Sequence, residues 1–129
     1  MAQILIIDDD PDVREFLEYT LNSAGHQTVT AAGGREGLNR FLRDPLDLVI
    51  TDLFMPELDG LELIAGLRTR FPELAIIAMS GRTPNLLSVA RNMGSNEILH
   101  KPFSSDELLA LVEKVLANAT AQTNHTITS

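Results

Sequence analysis

Leu48-Val49-Ile50-Thr51-Asp52-Leu53-Phe54-Met55-Pro56-Glu57-Leu58-Asp59-Gly60 is the stretch that decides the fold. A short apolar run containing β-branched residues stops at one acid, and a turn with proline and glycine follows. That is the pattern of a buried strand ending at the carboxyl edge of a sheet. Open α/β sheets carry their ligand sites at this edge, so Asp52 is expected where a reactive carboxylate would stand. The chain repeats the device earlier, where Ile4-Leu5-Ile6-Ile7 runs directly into Asp8-Asp9-Asp10. Two strands ending in acids bring like charges to one edge, which is tolerable mainly when a cation neutralises them. The pattern therefore points to a hard metal ion beside a reactive carboxylate.

Around that edge the chain alternates strand-like and helix-like segments. Residues 4–7, 27–31, 48–51, 75–79 and 97–99 read as strands. Helices are expected over about 11–24, 34–42, 61–69, 84–93 and from about 105 onward. Asp10-Pro11 supplies an N-cap with proline at the first helical position, and Gly25 and Gly94 act as stops. Ser104-Ser105-Asp106-Glu107 is a capping box ahead of Leu108, Leu111, Val112 and Val115. Five βα units of this length imply an α/β fold: a doubly wound five-stranded parallel sheet, order 2-1-3-4-5, with five helices on its two faces. The switch point then lies between the first and third strands, which end in Asp8-Asp9 and Asp52. Residues 1–118 are expected to form one domain and 119–129 a flexible polar tail.

Bulk properties bound the function. The chain has 129 residues, 44% of them apolar, enough for one domain with a proper core. Its net charge of −8 argues against direct nucleic-acid binding through a broad basic surface. It has no cysteine, so thiol chemistry and thiolate metal sites are excluded. The first apolar run is cut by Asp8, no basic leader precedes it, and no apolar stretch approaches the roughly 20 residues a bilayer requires. A cytoplasmic protein with no membrane insertion is the expectation.

Further side chains belong with the acids. The fourth strand ends at Ser80, and the fifth leads into Lys101-Pro102-Phe103, placing a hydroxyl and an ammonium at the same edge. Acids, a hydroxyl and a lysine in one crevice make a phosphoryl-transfer site, with Asp52 as nucleophile and Mg²⁺ held by carboxylates, waters and phosphate oxygens.

On these residues the chain resembles the receiver domains of two-component response regulators, over residues 3 to about 118. The resemblance implies a flavodoxin-like fold, and the strand order given above is that of a known receiver. It also implies that Asp52 is the phosphoacceptor and that Asp8, Asp9, Asp52 and the main-chain carbonyl of Phe54 hold Mg²⁺, Asp9 more directly than Asp8. Ser80 would contact a phosphoryl oxygen and Lys101 would pair with it, before a proline whose bond is usually cis. The implied function is a phosphorylation-activated signalling switch, not an enzyme with an external substrate. A sensor histidine kinase or His phosphotransfer protein would be the donor, and the surface of helix 4, strand 5 and helix 5 would control a downstream protein target or a further effector domain. Phosphorylation-dependent homodimerisation stays open. The alternative is a receiver-like binding module that works without phosphate.

Two departures stand out. Ile98 occupies a position that is often aromatic in the family, and Gly81 follows Ser80 where alanine is common. Phe54 and Arg82 hold positions that modulate the lifetime of the phosphoryl group in the family, implying an altered lifetime here. Asp10 reads as a helix cap, Asp59-Gly60 as a turn and helix start without chemistry, and His26, His100 and His125 as surface residues. Asp8, Asp10 and Asp12 match the first spacings of an EF-hand loop. Val13 and Tyr19 stand where its glycine and bidentate glutamate are needed, so that reading fails.

Overall fold

The computed structural model describes residues 2–55, 59–81 and 84–128, with the backbone alone at 84–87 and 119–128. Strands and helices alternate: β1 (Gln3–Ile7), α1 (Pro11–Ser23), β2 (Gln27–Ala31), α2 (Gly34–Arg43), β3 (Leu48–Asp52), α3 (Gly60–Arg70), β4 (Ala75–Ser80), α4 (Pro84–Met93), β5 (Glu97–His100) and α5 (Ser105–Thr128). The sheet has five parallel strands in the order β2-β1-β3-β4-β5. This is the expected doubly wound topology.

The central strands are apolar between Gln3 at the start of β1 and Thr51, Asp52 and Ser80 at the carboxyl edge, because both of their faces are covered. Side chains alternate between two cores. Ile4, Ile6, Leu48, Ile50, Ala75, Ile77 and Met79 pack with Leu17 and Leu21 of α1 and with Leu108, Val112 and Val115 of α5. Leu5, Ile7, Val49, Ile76 and Ala78 face the other way, against Phe41 of α2, Leu63, Ile64 and Leu67 of α3, and Ala90 of α4. Each fully buried Leu or Ile contributes about 1.5–3 kcal/mol of transfer free energy, so the strands that carry the site are held by packing on both faces.

Local signals close the elements. Asp10 caps α1 by accepting from the Asp12 N–H at 2.9 Å, and Asp59 caps α3 by accepting from Glu62 N–H at 2.9 Å. Ser104 Oγ accepts from Glu107 N–H at 3.1 Å and donates to the Glu107 carboxylate at 3.3 Å, a variant of the capping box. Gly25 and Gly94 have φ of +96° and +131°. Each follows a helix in a Schellman arrangement, with His26 N–H on Leu21 O and Ser95 N–H on Ala90 O.

Strands β3 and β4 include Asp52 and Ser80 as their last residues, the strand-end positions expected for them. The ladder continues through them: Asp52 pairs with Met79 and Ser80 with His100. The segment after Asn118, expected as a flexible tail, instead continues α5 as helix to Thr128. Helix propagation adds one hydrogen bond per residue once a nucleus exists, so a well-capped and packed helix extends into polar sequence. Among the described residues no helix is long and apolar enough to cross a membrane.

Candidate functional site

The carboxyl edge of β1, β3, β4 and β5 gathers the residues singled out in the sequence. Carboxylate oxygens of Asp8, Asp9 and Asp52 all lie within 4.8 Å of one another. Asp8 is fully buried and Asp52 is 6% exposed, whereas Asp9 is exposed to solvent. Lys101 Nζ donates to Asp8 Oδ2 at 2.8 Å and stands 3.6 Å from Asp52 Oδ1. Ser80, 2% exposed, ends the neighbouring strand, and its carbonyl accepts from Lys101 N–H at 3.0 Å. The Lys101–Pro102 peptide is cis.

Each acid is fixed by backbone. Asp8 Oδ1 accepts from Asp10 N–H at 2.9 Å, so its two oxygens are shared between the turn and Lys101. Asp52 Oδ1 accepts from Leu53 N–H at 2.9 Å, and Leu53 N–H also lies 3.1 Å from Met79 O. The Thr51 hydroxyl, fully buried, donates to Asp52 O at 3.0 Å. These contacts hold the Asp52 carboxylate at the strand end while leaving Oδ2 outside this network of main-chain bonds.

The electrostatics follow from the packing. Burial pushes the Asp52 carboxyl above its ordinary range, and the adjacent Asp8 charge pushes the same way. Lys101 and the Leu53 N–H pull it down but do not prevail. Burial alone would lower the Lys101 ammonium. Its hydrogen bond to Asp8 and the charges of Asp52 and Asp8 outweigh that, so it stands above the usual lysine value. Three carboxylates and one ammonium leave a formal charge of −2, matched by one divalent cation. The donor set is all oxygen, partly solvated through Asp9, which suits Mg²⁺ better than a softer ion.

Some contributors were not legible in the sequence. Gly60 is more than a helix start: a Cβ there would collide with the Asp52 carbonyl oxygen and come within 2.7 Å of Leu53 Cα. Its own N–H donates to Leu53 O at 3.1 Å, so Gly60 lets α3 begin directly against the acceptor strand. Arg14 Nη1 donates to Asp8 O at 2.7 Å, tying α1 to the acid turn. Thr51 is the third such residue. The only available signal was adjacency to Asp52, because close approach between chain-distant backbones is a tertiary property.

Asp10 is a helix cap. Phe54 follows β3, with its side chain half-buried against the core on the α2–α4 face. Ile98 is also half-buried against that core, filling the position with aliphatic volume. His100 is exposed, but His26 is half-buried and its Nδ1 accepts from Ala2 N–H at 3.1 Å, so it pins the start of β1. Arg82, residues 56–58 of the turn and the side chain of His125 lie outside the described residues. A Cβ at Gly81 would sit 3.1 Å from Lys101 Cβ. A groove of about 500 Å³ opens beside Gly81 and Lys101, walled by Val13, Phe16, Pro102 and Phe103.

Comparisons with known proteins identify the family and the fold. The family profile of the response regulator receiver domain matches residues 4–113. The response regulator MprA of Mycolicibacterium vanbaalenii is 38% identical over 120 residues, covering 92% of this chain and 52% of the relative. The DNA-binding transcriptional regulator NtrC of Azospirillum brasilense is 39% identical over 121 residues, covering 92% of this chain and 25% of the relative. The chain thus spans about half, or less, of the length of these relatives. Among solved structures, NtrX from Brucella abortus superposes with a TM-score of 0.93 at 28% identity, over 99% of this chain and 29% of that one. A response regulator receiver domain protein from Clostridium thermocellum gives 0.85 at 28% identity, over 98% and 99%.

Proposed function

Since the chain belongs to the response regulator receiver domain family of two-component systems, we propose that it is a switch set by phosphorylation of Asp52. The observation that carries this reading is the convergence of Asp52, Asp8, Asp9 and Lys101, their carboxylates within 4.8 Å of one another and the ammonium 2.8 Å from Asp8. A structural ion pair needs one acid per lysine. Here three acids face one lysine, and a surplus of negative charge at a buried edge is costly unless it has a use.

The donor is a phosphohistidine on a sensor kinase or His phosphotransfer protein. An Asp52 carboxylate oxygen attacks phosphorus, the P–N bond breaks, and the imidazole leaves with its electron pair and takes a proton. Asp8, Asp9, Asp52 and the Phe54 carbonyl would hold Mg²⁺, which when bound would supply charge neutralisation at the phosphoryl oxygens. Lys101 contributes a second positive charge, exchanging part of its contact with Asp52 for the phosphoryl group. Ser80, one strand away, donates to a phosphoryl oxygen, and its displacement alters the packing of α4, β5 and α5. Moving from a mostly inactive to a mostly active state needs about 5 kcal/mol of differential interaction. A few charge-assisted hydrogen bonds in a partly desolvated site are of that order. The groove beside Lys101 gives the donor protein access to the same edge. The output goes to a downstream protein or effector domain by contact, and the acidic surface makes direct nucleic-acid binding by this domain the less favoured route.

Intact-mass measurement after Mg²⁺ and acetyl phosphate, with acid quench, tests the assignment. One phosphoryl adduct is expected on the wild type, abolished by EDTA and absent from Asp52→Ala. An adduct that persists on Asp52→Ala would move the acceptor elsewhere. The absence of any adduct on the wild type would favour a phosphate-independent binding module.

A further inference from the structure

The most heavily bonded side chain among those described lies at the opposite edge of the sheet from the acids. Arg68, in the last turn of α3, donates five hydrogen bonds. Nε and Nη2 reach Gly94 O at 3.1 and 2.8 Å, and Nη2 also reaches Asn96 Oδ1 at 2.8 Å. Nη1 reaches Phe71 O and Pro72 O at 3.3 and 2.7 Å. One guanidinium therefore serves carbonyls that follow two helices, α3 and α4, where both macrodipoles end negative. Asn96 relays the contact into the sheet, because its Oδ1 accepts from Ile76 N–H at 2.7 Å while its own N–H donates to Ile76 O at 2.8 Å. The fit is close on both sides: a Cβ at Gly94 would stand 2.8 Å from Cβ and Cγ of Arg68.

The other end of α4 is placed differently. Pro84 begins the helix four positions after Ser80, the residue proposed above to meet the phosphoryl group. Ten residues of helix, roughly 15 Å at 1.5 Å per residue, separate a reporting end from a clamped end. We propose that Arg68 is the fixed pivot of α4. It holds the last turn of the helix to α3 and to the start of β5, so a change at Ser80 is expressed as movement of the N-terminal end alone. This rests on the phosphorylation reading and adds how its signal is confined. A helix free at both ends would shift as a body and spread the same free energy over more contacts. A helix clamped at one end concentrates it where a partner can read it.

Hydrogen exchange followed by mass spectrometry on the full chain tests the pivot, with and without Mg²⁺ and acetyl phosphate, and with the adduct measured by intact mass in each sample. In the wild type, phosphorylation is expected to change exchange in peptides over 80–88 and to leave 90–97 within about twofold. In Arg68→Met, exchange over 90–97 should rise at least tenfold without phosphate, the scale of losing charge-assisted bonds, and should then respond to phosphorylation. Gly94→Ala attacks the same contact from the α4 side and should do likewise. Where Arg68→Met fails to fold, Arg68→Lys keeps the charge and loses the fork, and an intermediate rise is expected.

A phosphorylated wild type in which 90–97 changes as much as 80–88 overturns the pivot. So does an Arg68 variant that folds and exchanges like wild type over 90–97. Absence of an adduct on the wild type would refute the phosphorylation reading and the pivot's part in switching with it. In that case the Arg68→Met comparison without phosphate still decides, by itself, whether the clamp exists.

Discussion

Replacing Lys101 by methionine removes the ammonium that, among the described residues, pairs with Asp8 and Asp52, while keeping most of the side-chain volume. At an effective dielectric of about 20, a contact at 2.8 Å between Lys101 and Asp8 corresponds to roughly 6 kcal/mol of gross attraction, and 3.6 Å to Asp52 to roughly 4.6. Repulsion between carboxylate oxygens that lie within 4.8 Å of one another is at least roughly 3.5 kcal/mol per pair on the same footing. The ammonium therefore more than offsets one close acid pair. Desolvation consumes much of the gross figure, and breaking a buried pair by deleting one partner costs about 3–5 kcal/mol in practice. That range applies because Asp8 is fully buried and would be left charged and unpaired. In urea unfolding at pH 7 with EDTA, Lys101→Met should lose about 3–5 kcal/mol, and millimolar Mg²⁺ should recover a larger increment in the variant than in wild type. Asp52 already titrates above its ordinary range, and losing Lys101 raises it further. The deficit is therefore full above that raised value and shrinks as the pH falls and the carboxyl takes up its proton. A loss below about 1 kcal/mol, the scale of a solvated surface pair, with no enhanced Mg²⁺ response, would refute the argument that this lysine holds an otherwise repelling cluster together.

Asp52→Asn should stabilise the metal-free protein by about 1–2 kcal/mol at neutral pH, because it relieves the burial of a charged carboxylate and removes a like charge from Asp8, which together outweigh the lost contact with Lys101. With a raised folded-state value, the wild-type penalty is full above that value and absent once Asp52 is protonated in both states, so thermal melts of the pair should converge in acid. Gly60→Ala should cost about 1–3 kcal/mol by overpacking and should slow adduct formation, since the new methyl meets the Asp52 carbonyl and Leu53 Cα; normal phosphorylation kinetics would remove Gly60 as a positioning residue. Glu97 bridges Lys114 at 2.9 Å and Arg91 at 3.1 Å across α5 and α4. Both cations are more than half exposed, so Glu97→Gln should cost only about 1 kcal/mol. The hydrogen bond from Lys114 holds the Glu97 carboxyl below its usual range. Its contribution is therefore present above the ordinary glutamate value and lost as pH falls through the depressed one, which urea titrations at pH 7 and pH 3 should show.

Much of this protein could be read along the chain. Local periodicity, Asp10-Pro11, the Ser104 box and the stops at Gly25 and Gly94 mark their elements through interactions within a few residues, so sequence is enough to place them. Right-handed crossovers then leave few topologies, and strand ends carrying Asp8, Asp52, Ser80 and Lys101 meet at one edge. The sequence could not give what depends on approach between distant backbones. Gly60 against Asp52, Arg14 on the Asp8 carbonyl, His26 on Ala2, and Arg68 joining α3 to Gly94 and Asn96 all link chain segments whose separation is set by packing. The helical course of 119–128 belongs there too, because its polar sequence carries no apolar period and continuation depends on the packed helix before it. The sequence alone determined which chemical groups stand at the sheet edge. The tertiary structure decided how they are charged and held, because burial and close contact between distant segments exist only once the sheet is covered on both faces.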